Sequence, residues 1–225
     1  GEKRYPGTLS DYALFGCGLL DLYRSCGEPE FLLKANELAQ RMVQDFKPES
    51  ASAFYESPPE QTELLVRPIE GYDGVIPSGN SAATRLLLSL SLYGFDPANY
   101  RKWATHIMNH FKGALFEYPQ AHPFMCSSLF LMHDPAEEIA VTANNKDANF
   151  LAMMDFLWKK GHPDRIFAYY PPAPLEDSKP DSETATKLPL LEGRISAEAA
   201  RGFICKNLAC EEPMMDAEQF RLKIQ

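Results

Sequence analysis

The sequence has no excess of basic residues. Its 22 Lys and Arg side chains are outnumbered by 31 Asp and Glu, which gives a formal net charge of −9. Proteins that bind nucleic acid present a basic face to the phosphates, so this balance argues against a nucleic-acid partner. No run of Lys or Arg is present to attract an anionic membrane surface. The charge leaves open small neutral or cationic ligands and protein partners.

Long apolar runs are also missing. No uninterrupted apolar segment approaches the roughly 20 residues that a membrane-spanning helix needs. Residues 1–10 lack the apolar core of a signal peptide. We therefore expect no membrane partner. Because the first residue is Gly rather than Met and a helix cap follows almost at once, we also expect that an N-terminal part of the parent chain is missing.

Cysteine is scarce, and its count is odd. Three of the five cysteines fall within predicted helices, a pattern typical of reduced thiols in a cytoplasmic protein rather than of a disulfide framework. Cys205 and Cys210 can form a redox pair or half of a metal site. Since no second pair accompanies them, we favour inert thiols. The remaining cysteines are Cys17, Cys26 and Cys126.

The sequence does have enough apolar surface for a large core, with 45% hydrophobic and 12% aromatic residues. Its predicted helices alternate between two kinds. Three are apolar nearly all round, as buried helices are, and each is followed by an amphipathic helix that keeps one wet face. The first kind spans 11–25, 79–93 and 119–132, and the second spans 30–46, 97–116 and 147–160.

This alternation predicts a mainly α fold, an (α/α)6 six-hairpin toroid of which the chain supplies about half of the ring. Inner helices of such a ring are covered on all sides, whereas most helices of a plain bundle are amphipathic. We expect one domain over 1–225 with a few short β-strands near the C-terminus. A half ring leaves two open edges for a missing segment of the parent chain or a second copy to fill. The predicted hairpins are 9–46, 79–116 and 119–160, the irregular tail is 161–225, the strands are 137–143, 166–170 and 202–205, and a last helix is 217–224.

Two stretches have no helical period. One, at 171–187, is rich in Pro, Ser and acidic residues and has little to bury, so we expect it to be mobile. The other is a proline-rich loop at 47–77, and loops of this length inside a domain are usually functional. It leads into the helix predicted from residue 79, and a polar loop with a carboxylate at the start of a buried helix is a common way to present chemistry at a pocket mouth.

Five segments of the sequence resemble one known family. In the right order, they are similar to the C-terminal part of the spermatogenesis-associated protein 20-like family. The segments are 72–81 (YDGVIPSGNS), 9–13 (LSDYA), 19–23 (LLDLY), 54–55 (FY) and 203–210 (FICKNLAC).

The resemblance implies a parent with an N-terminal thioredoxin-like domain followed by a six-hairpin helical toroid. The toroid is similar to glycosidase-like and sugar 2-epimerase-like barrels, which are associated with carbohydrate metabolism. This chain has no Cys-x-x-Cys, so the thioredoxin-like domain is not part of it. It departs from the family at 50–53, where Ser-Ala-Ser-Ala replaces glycines, and we place no equivalents of the histidines that line sugar 2-epimerases.

Asp73 and Asp11 are the predicted catalytic residues. Glycoside hydrolysis needs two carboxylates, about 5 Å apart for retention or about 6.5–9.5 Å apart for inversion. Each Asp begins or precedes a predicted inner helix, and parallel inner helices bring their N-terminal ends to one face. The alternative is that Asp11 caps its helix and that Asp73 forms an Asx-type turn.

Five further residues are predicted to bind substrate. Ser78 and Asn80 place a hydroxyl and an amide at a helix N-terminus, which can hold sugar hydroxyls or an anion but is also an ordinary N-cap. Tyr12, Tyr55 and Tyr72 can stack on a sugar, although tyrosine in a helical core is the commoner explanation.

We predict no metal and no cofactor. His106 and His110 have a metal-compatible spacing on a predicted outer helix, but a zinc site needs a third ligand, so core or surface histidines are the better interpretation.

Taken together, the resemblance and the candidate residues predict a carbohydrate-processing domain with acid–base chemistry on a sugar. The alternative is a non-catalytic helical scaffold or binding module that supports an upstream thioredoxin-like domain.

Overall fold

The structure is a computed structural model that describes residues 6–50, 52–59, 65–132, 137–144, 147–160, 165–172, 182–195 and 199–224. It is mainly helical with short β-strands near the C-terminus, as predicted, and the strands form a small four-stranded sheet. The toroid arrangement stays a prediction. The helices are α1 (Leu9–Cys26), α2 (Pro29–Phe46), α3 (Gly79–Leu92), α4 (Pro97–Glu117), α5 (Pro123–Ser127), α6 (Leu129–Met132), α7 (Ala148–Lys159), α8 (Ser182–Ala185) and α9 (Ala217–Lys223), and the strands are β1 (Glu137–Thr142), β2 (Arg165–Tyr170), β3 (Arg201–Lys206) and β4 (Ala209–Cys210).

The chain divides into two compact units. The first comprises 1–20, 34–91 and 96–129, and the second comprises 21–33, 92–95 and 130–225. The single domain predicted over 1–225 stays a prediction. Within the described parts of the chain, no helix is both long and apolar enough to cross a membrane.

In the first unit, α3 is the helix that the sequence predicted best. Every residue of α3 is buried except Arg85, which is partly buried. Its apolar run needs this environment, because a helix that is hydrophobic all round is stable in water only when it is covered. The side chain of Leu86 packs so closely on Gly16 of α1 that a Cβ there would lie 2.5 Å from a Leu86 methyl.

The prediction that α1 is buried all round is wrong. Phe15 is 64% exposed and Leu22 is 49% exposed. Together with Asp11, Gly18 and Ser25, which are also exposed, they form one stripe along the helix. Apolar composition alone did not reveal that stripe, because two of its positions carry large hydrophobic side chains.

The predicted single buried helix at 119–132 is also wrong. The segment is a 3-10 turn at Pro119–Ala121 followed by the short helices α5 and α6. Pro123 lacks an N–H and cannot continue a helix through its own position, so a new helix begins there. Leu129 and Phe130 are both more than half exposed.

The predicted stretch at 171–187 is described only in part, since 173–181 lie outside the described residues. Its last part forms α8. The described parts of the loop at 47–77 contain no helix or strand, as expected.

In the second unit, the predicted strands and the helices α7 and α9 are confirmed. The strand order is β2-β1-β3-β4, with β1 and β2 parallel and the other pairs antiparallel. Alternate residues of β1 point to one face, where α7 and α9 cover them. The core of that face includes Ile139, Val141, Phe150, Met153, Met154, Tyr169, Ile204 and Phe220.

Replacing Gly202 with alanine should lower the free energy of unfolding by about 1–3 kcal/mol, as overpacking of a core does. A Cβ at Gly202 would overlap the Phe220 ring, which is fully buried. Chemical denaturation measures the effect. Gly113→Ala is the matched control, because a Cβ at Gly113 of α4 meets nothing within 4 Å and alanine favours a helix by about 0.5–1 kcal/mol. Equal effects of the two substitutions would contradict the packing described for β3 and α9.

The opposite face of the sheet carries Glu138, which is 2% exposed. Its carboxylate accepts a 2.6 Å hydrogen bond from the Leu208 N–H. Burial raises the pKa of Glu138, against the smaller opposing effects of this hydrogen bond and of Arg194.

The raised pKa of Glu138 makes stability depend on pH. The folded state holds the proton more tightly than the unfolded state, so the contribution is fully present below the unfolded-state pKa and is lost as pH rises through the folded-state pKa. We expect Glu138→Gln to remove that component from a series of unfolding curves across this pH range. An unchanged pH profile would contradict the assignment.

The prediction that Cys205 and Cys210 are inert thiols is wrong, because they form a disulfide. Asn207 and Leu208, both at positive φ, make the two-residue turn between β3 and β4. This turn places the two cysteines directly opposite each other, with their Cα atoms 3.9 Å apart. Sequence spacing alone does not show such a pairing, because it depends on the hairpin.

Candidate functional site

All seven predicted site residues lie in the first unit. They are distributed over the start of α1, the long loop and the start of α3. Asp11 and Tyr12 lie in the first turn of α1, Tyr55, Tyr72 and Asp73 lie in the loop, Ser78 precedes α3, and Asn80 lies in its first turn.

Asp73 is a buried anchor between two parts of the chain, with 8% of its surface exposed. One carboxylate oxygen accepts the Ser78 N–H at 2.9 Å. The other accepts the N–H groups of Phe124 and Met125 at 2.9 and 3.3 Å. The Asp73 N–H in turn donates to the Ala121 carbonyl. Both carboxylate oxygens therefore accept hydrogen bonds from backbone N–H groups. One oxygen bonds the end of the loop, and the other bonds the start of α5.

Asn80 is fully buried and holds the long loop against α3. Its Oδ1 accepts the Phe54 N–H at 2.8 Å. Its Nδ2 donates to the carbonyls of Phe54 and Glu70 at 2.9 and 2.8 Å. The oxygen and both N–H groups of this amide are hydrogen-bonded, so Asn80 fixes the loop at Phe54 and at Glu70.

Ser78 and Asp11 act as helix caps. The Ser78 hydroxyl donates to the Ser81 hydroxyl at 2.8 Å and accepts the Ser81 N–H at 3.2 Å. Asp11 is exposed, and its carboxylate accepts the N–H and hydroxyl of Thr8 at 2.8 and 3.1 Å while the Asp11 N–H donates back to the Thr8 hydroxyl. This reciprocal pair is a capping box that satisfies two of the otherwise unpaired donors of a helix start.

The three tyrosines differ in how much ring they offer to a ligand. Tyr12 packs edge-on against Phe46 at 5.5 Å between ring centroids. Tyr55 lies under the Arg67 guanidinium at 4.3 Å. Tyr72 is 66% exposed, and its loop neighbours Val75 and Ile76 are exposed as well. Of the three, Tyr72 is therefore the one with a ring free for stacking.

Sequence reasoning missed Glu56. Its main-chain oxygen accepts the Leu9 N–H, and its Oε1 lies 3.2 Å from the Ser10 N–H, so Glu56 meets the start of α1. Its Oε2 would be 2.5 Å from a Cβ on Gly79, the first residue of α3. Among the described residues, this buried oxygen has no hydrogen-bond partner. The starts of α1 and α3 thus meet at one carboxylate, which no local sequence pattern marks.

His122 is a second residue that the sequence did not single out. It is buried, its Nδ1 lies 2.6 Å from the Gly71 carbonyl, and its ring lies 6.3 Å from that of Phe111.

Burial, and secondarily the Asp73 carboxylate, raise the pKa of the Cys126 thiol. A raised pKa keeps that thiol protonated, which is the opposite of what a nucleophilic cysteine needs.

The histidines of α4 have ordinary neighbours. His110 Nδ1 lies 2.8 Å from the Ser52 hydroxyl, and His106 packs edge-on against Trp103 at 5.1 Å. Across the residues that the structure describes, no three His, Cys, Asp or Glu side chains converge in a way that could hold a metal ion.

The first unit is therefore mainly helical, and the polar residues of its long loop are hydrogen-bonded at the starts of helices. The chain is similar in sequence to proteins named spermatogenesis-associated protein 20, which confirms the family name given by the resemblance. It is 26% identical to the protein of that name from Homo sapiens over 220 residues, and 26% and 24% identical to those from Rattus norvegicus and Mus musculus, in each case over 96% of the chain. The chain spans about a quarter (27%) of the length of these relatives. No protein-family model matches it.

Proposed function

We propose that this chain is a non-catalytic helical scaffold or binding module within a longer protein similar to spermatogenesis-associated protein 20. One observation carries the proposal. The polar atoms of Asp73 and Asn80 are engaged with backbone groups, and the Ser78 hydroxyl is engaged with the hydroxyl and N–H of Ser81. An acid or base has to reach a substrate proton, and a carboxylate whose two oxygens each hold backbone N–H groups is poorly placed to do so.

We further propose that α1–α2 and α3–α4 are neighbouring hairpins of an (α/α)6 toroid. The burial of α3 on all sides supports an inner position for that helix. The meeting of the starts of α1 and α3 at Glu56 supports a common direction for the two inner helices. The relatives are nearly four times as long as the matched region, which supports a role for the module beside other segments of a longer chain. The resemblance implies that a thioredoxin-like domain is among them.

Carbohydrate processing is the second candidate, and a different observation favours it. The unpartnered Oε2 of Glu56 lies at the starts of two helices, and the exposed ring of Tyr72 lies in the same unit. Glycoside hydrolysis needs a pair of carboxylates, of which Glu56 supplies one, and an exposed aromatic ring can stack on a sugar. In this interpretation Glu56 joins Asp73 and Asp11 as a candidate carboxylate, and Tyr12, Tyr55, Ser78 and Asn80 shape the site.

A thermal-shift screen with a panel of neutral sugars and sugar phosphates separates the two functions. A ligand at about a hundred times its Kd stabilises the folded state by about 2.7 kcal/mol. The scaffold proposal expects no shift from any sugar in the wild type. A shift from one sugar class that is lost in both Glu56→Gln and Tyr72→Ala would support the second candidate instead.

Tyr118→Ala is the matched control for that screen. Tyr118 is 58% exposed and was not predicted to bind substrate. A sugar-induced shift that survives in Tyr118→Ala but not in Tyr72→Ala would tie binding to the loop. A shift lost equally in both variants would indicate a general loss of stability.

A further inference from the structure

The hairpin of β3 and β4 brings two sulfur atoms and a guanidinium together. Cys205 is fully buried, whereas Cys210 is partly exposed. The Nε of Arg194 lies 3.1 Å from the Cys210 sulfur. A cation at this distance stabilises a thiolate, which is the reactive form of a cysteine in exchange with a disulfide.

Arg194 is held in this position by main-chain carbonyls. One terminal nitrogen donates to Leu190 at 3.1 Å, with longer contacts to Pro189 and Glu192, and the other donates to Leu208 at 3.1 Å. Carbonyls orient the guanidinium without neutralising its charge. Its positive charge acts on the sulfur of Cys210 and also on the Glu138 carboxyl, whose pKa it tends to lower.

The buried sulfur has an ionisable residue opposite it. Glu138 of β1 is the register partner of Cys205 in the antiparallel pair of β1 and β3. Directly opposite residues of such a pair have Cβ atoms about 4.5–5.5 Å apart and share one face of the sheet. Because burial raises its pKa, the Glu138 carboxyl can release and take up a proton closer to neutral pH than an exposed glutamate.

We propose that Cys205 and Cys210 form a site for thiol–disulfide exchange with a dithiol, in which Cys210 is the sulfur that reacts with the partner and Arg194 stabilises its thiolate. The difference in burial favours this assignment, because Cys210 is partly exposed whereas Cys205 is fully buried.

In the reducing direction, a thiolate of the dithiol attacks the Cys210 sulfur. The bond between Cys205 and Cys210 breaks, a mixed disulfide forms, and Cys205 leaves as a thiolate that takes up a proton, for which Glu138 is the nearest carboxyl in the register. The second thiol of the dithiol then displaces Cys210 as a thiolate beside Arg194. Two electrons have passed to the protein, and the dithiol has become a disulfide. The oxidising direction reverses each step.

A redox titration of the intact chain tests the proposal. The protein is equilibrated in buffers of reduced and oxidised dithiothreitol or glutathione at neutral pH, and the fraction of Cys205–Cys210 disulfide is measured by differential alkylation and mass spectrometry. We expect a reversible transition within the range of the glutathione buffers. A disulfide that stays oxidised in every glutathione buffer would be purely structural and would overturn the proposal. A pair that stays reduced in all of them would overturn it as well.

Alkylation rates of the reduced protein test the role of Arg194. We expect iodoacetamide to modify Cys210 faster than Cys126 at neutral pH, since the pKa of Cys126 is raised. Arg194→Gln should slow modification of Cys210 about tenfold, as expected when a thiol pKa rises by about one unit, and leave Cys126 unchanged.

Arg194→Lys distinguishes charge from packing. It keeps the positive charge but loses the planar fork, so we expect it to restore part of the Cys210 rate. The charged residues around the pair are the same in the wild type and both variants: Lys206 at the end of β3, Glu211 just after β4, and Glu138 opposite Cys205 on β1. Equal Cys210 rates in the wild type, Arg194→Gln and Arg194→Lys would overturn the role of Arg194. If Arg194→Gln does not fold, the Cys210 alkylation rate of Arg194→Lys still tests the role of Arg194, and the wild-type redox titration still tests the exchange site.

Discussion

Asn80→Ala should cost about 3–4 kcal/mol of unfolding free energy, a large part of the stability of a typical domain. The substitution removes one acceptor and two donors from a fully buried position. It leaves the Phe54 N–H and the carbonyls of Phe54 and Glu70 without their partner. Each buried group left unpaired costs about 1–3 kcal/mol. Urea denaturation followed by circular dichroism measures the loss.

Asn99→Ala is the matched control for that experiment. Asn99 is an exposed residue of α4 whose amide donates to the Asp96 carboxylate at 3.0 Å. We expect a change within about 0.5 kcal/mol, as for most exposed positions. If Asn80→Ala cost no more than Asn99→Ala, the amide of Asn80 would not be what holds the loop.

Asp73→Asn is the second large effect that we expect, at about 2–3 kcal/mol. The carboxylate accepts three backbone N–H groups, and hydrogen bonds to carboxylate oxygens are among the stronger kind. The amide keeps one oxygen but turns an NH2 group toward N–H donors on the other side. The loss combines the missing hydrogen bonds with this unfavourable contact.

Asp11→Asn provides the comparison for Asp73→Asn. The exposed Asp11 carboxylate caps α1 through Thr8, and loss of a cap interaction costs about 1 kcal/mol or less at an exposed site. Equal losses at the two positions would contradict the structural difference between them. A loss of sugar turnover in Asp73→Asn, with its stability unchanged, would favour the catalytic role that the sequence predicted.

The elements with a clear hydrophobic period were predictable from the sequence. The sequence of α3, which is apolar or small and polar nearly all round, and the single apolar stripe of α2 each specify one kind of environment, and the structure provides it. The 119–132 segment is similarly apolar but contains Pro123. Because proline has no backbone N–H to donate, one helix cannot continue through that position, and a new helix begins there. The exposed Phe15 and Leu22 show that apolar residues do not by themselves determine what covers a helix.

The candidate site was predictable only where its contacts are local. Asp11 caps through Thr8, three residues away, so the sequence already offered that alternative. Asp73 reaches Phe124 across 51 positions and Asn80 reaches Phe54 across 26, and no spacing rule connects such pairs. The disulfide is an intermediate case. Its two cysteines are close in sequence, but only the turn at Asn207 and Leu208 aligns them.

Amide hydrogen exchange shows whether Asp73 and Asn80 hold the backbone of the loop and of the start of α5. We predict strong protection of the N–H groups of Phe54, Ser78 and Phe124 in the wild type, because each donates to a buried side chain. In Asp73→Asn, protection should fall at Ser78 and Phe124 and persist at Phe54. If these amides exchanged in the wild type as fast as those of unstructured peptides, the two side chains would not be anchors and the scaffold proposal would lose its main support.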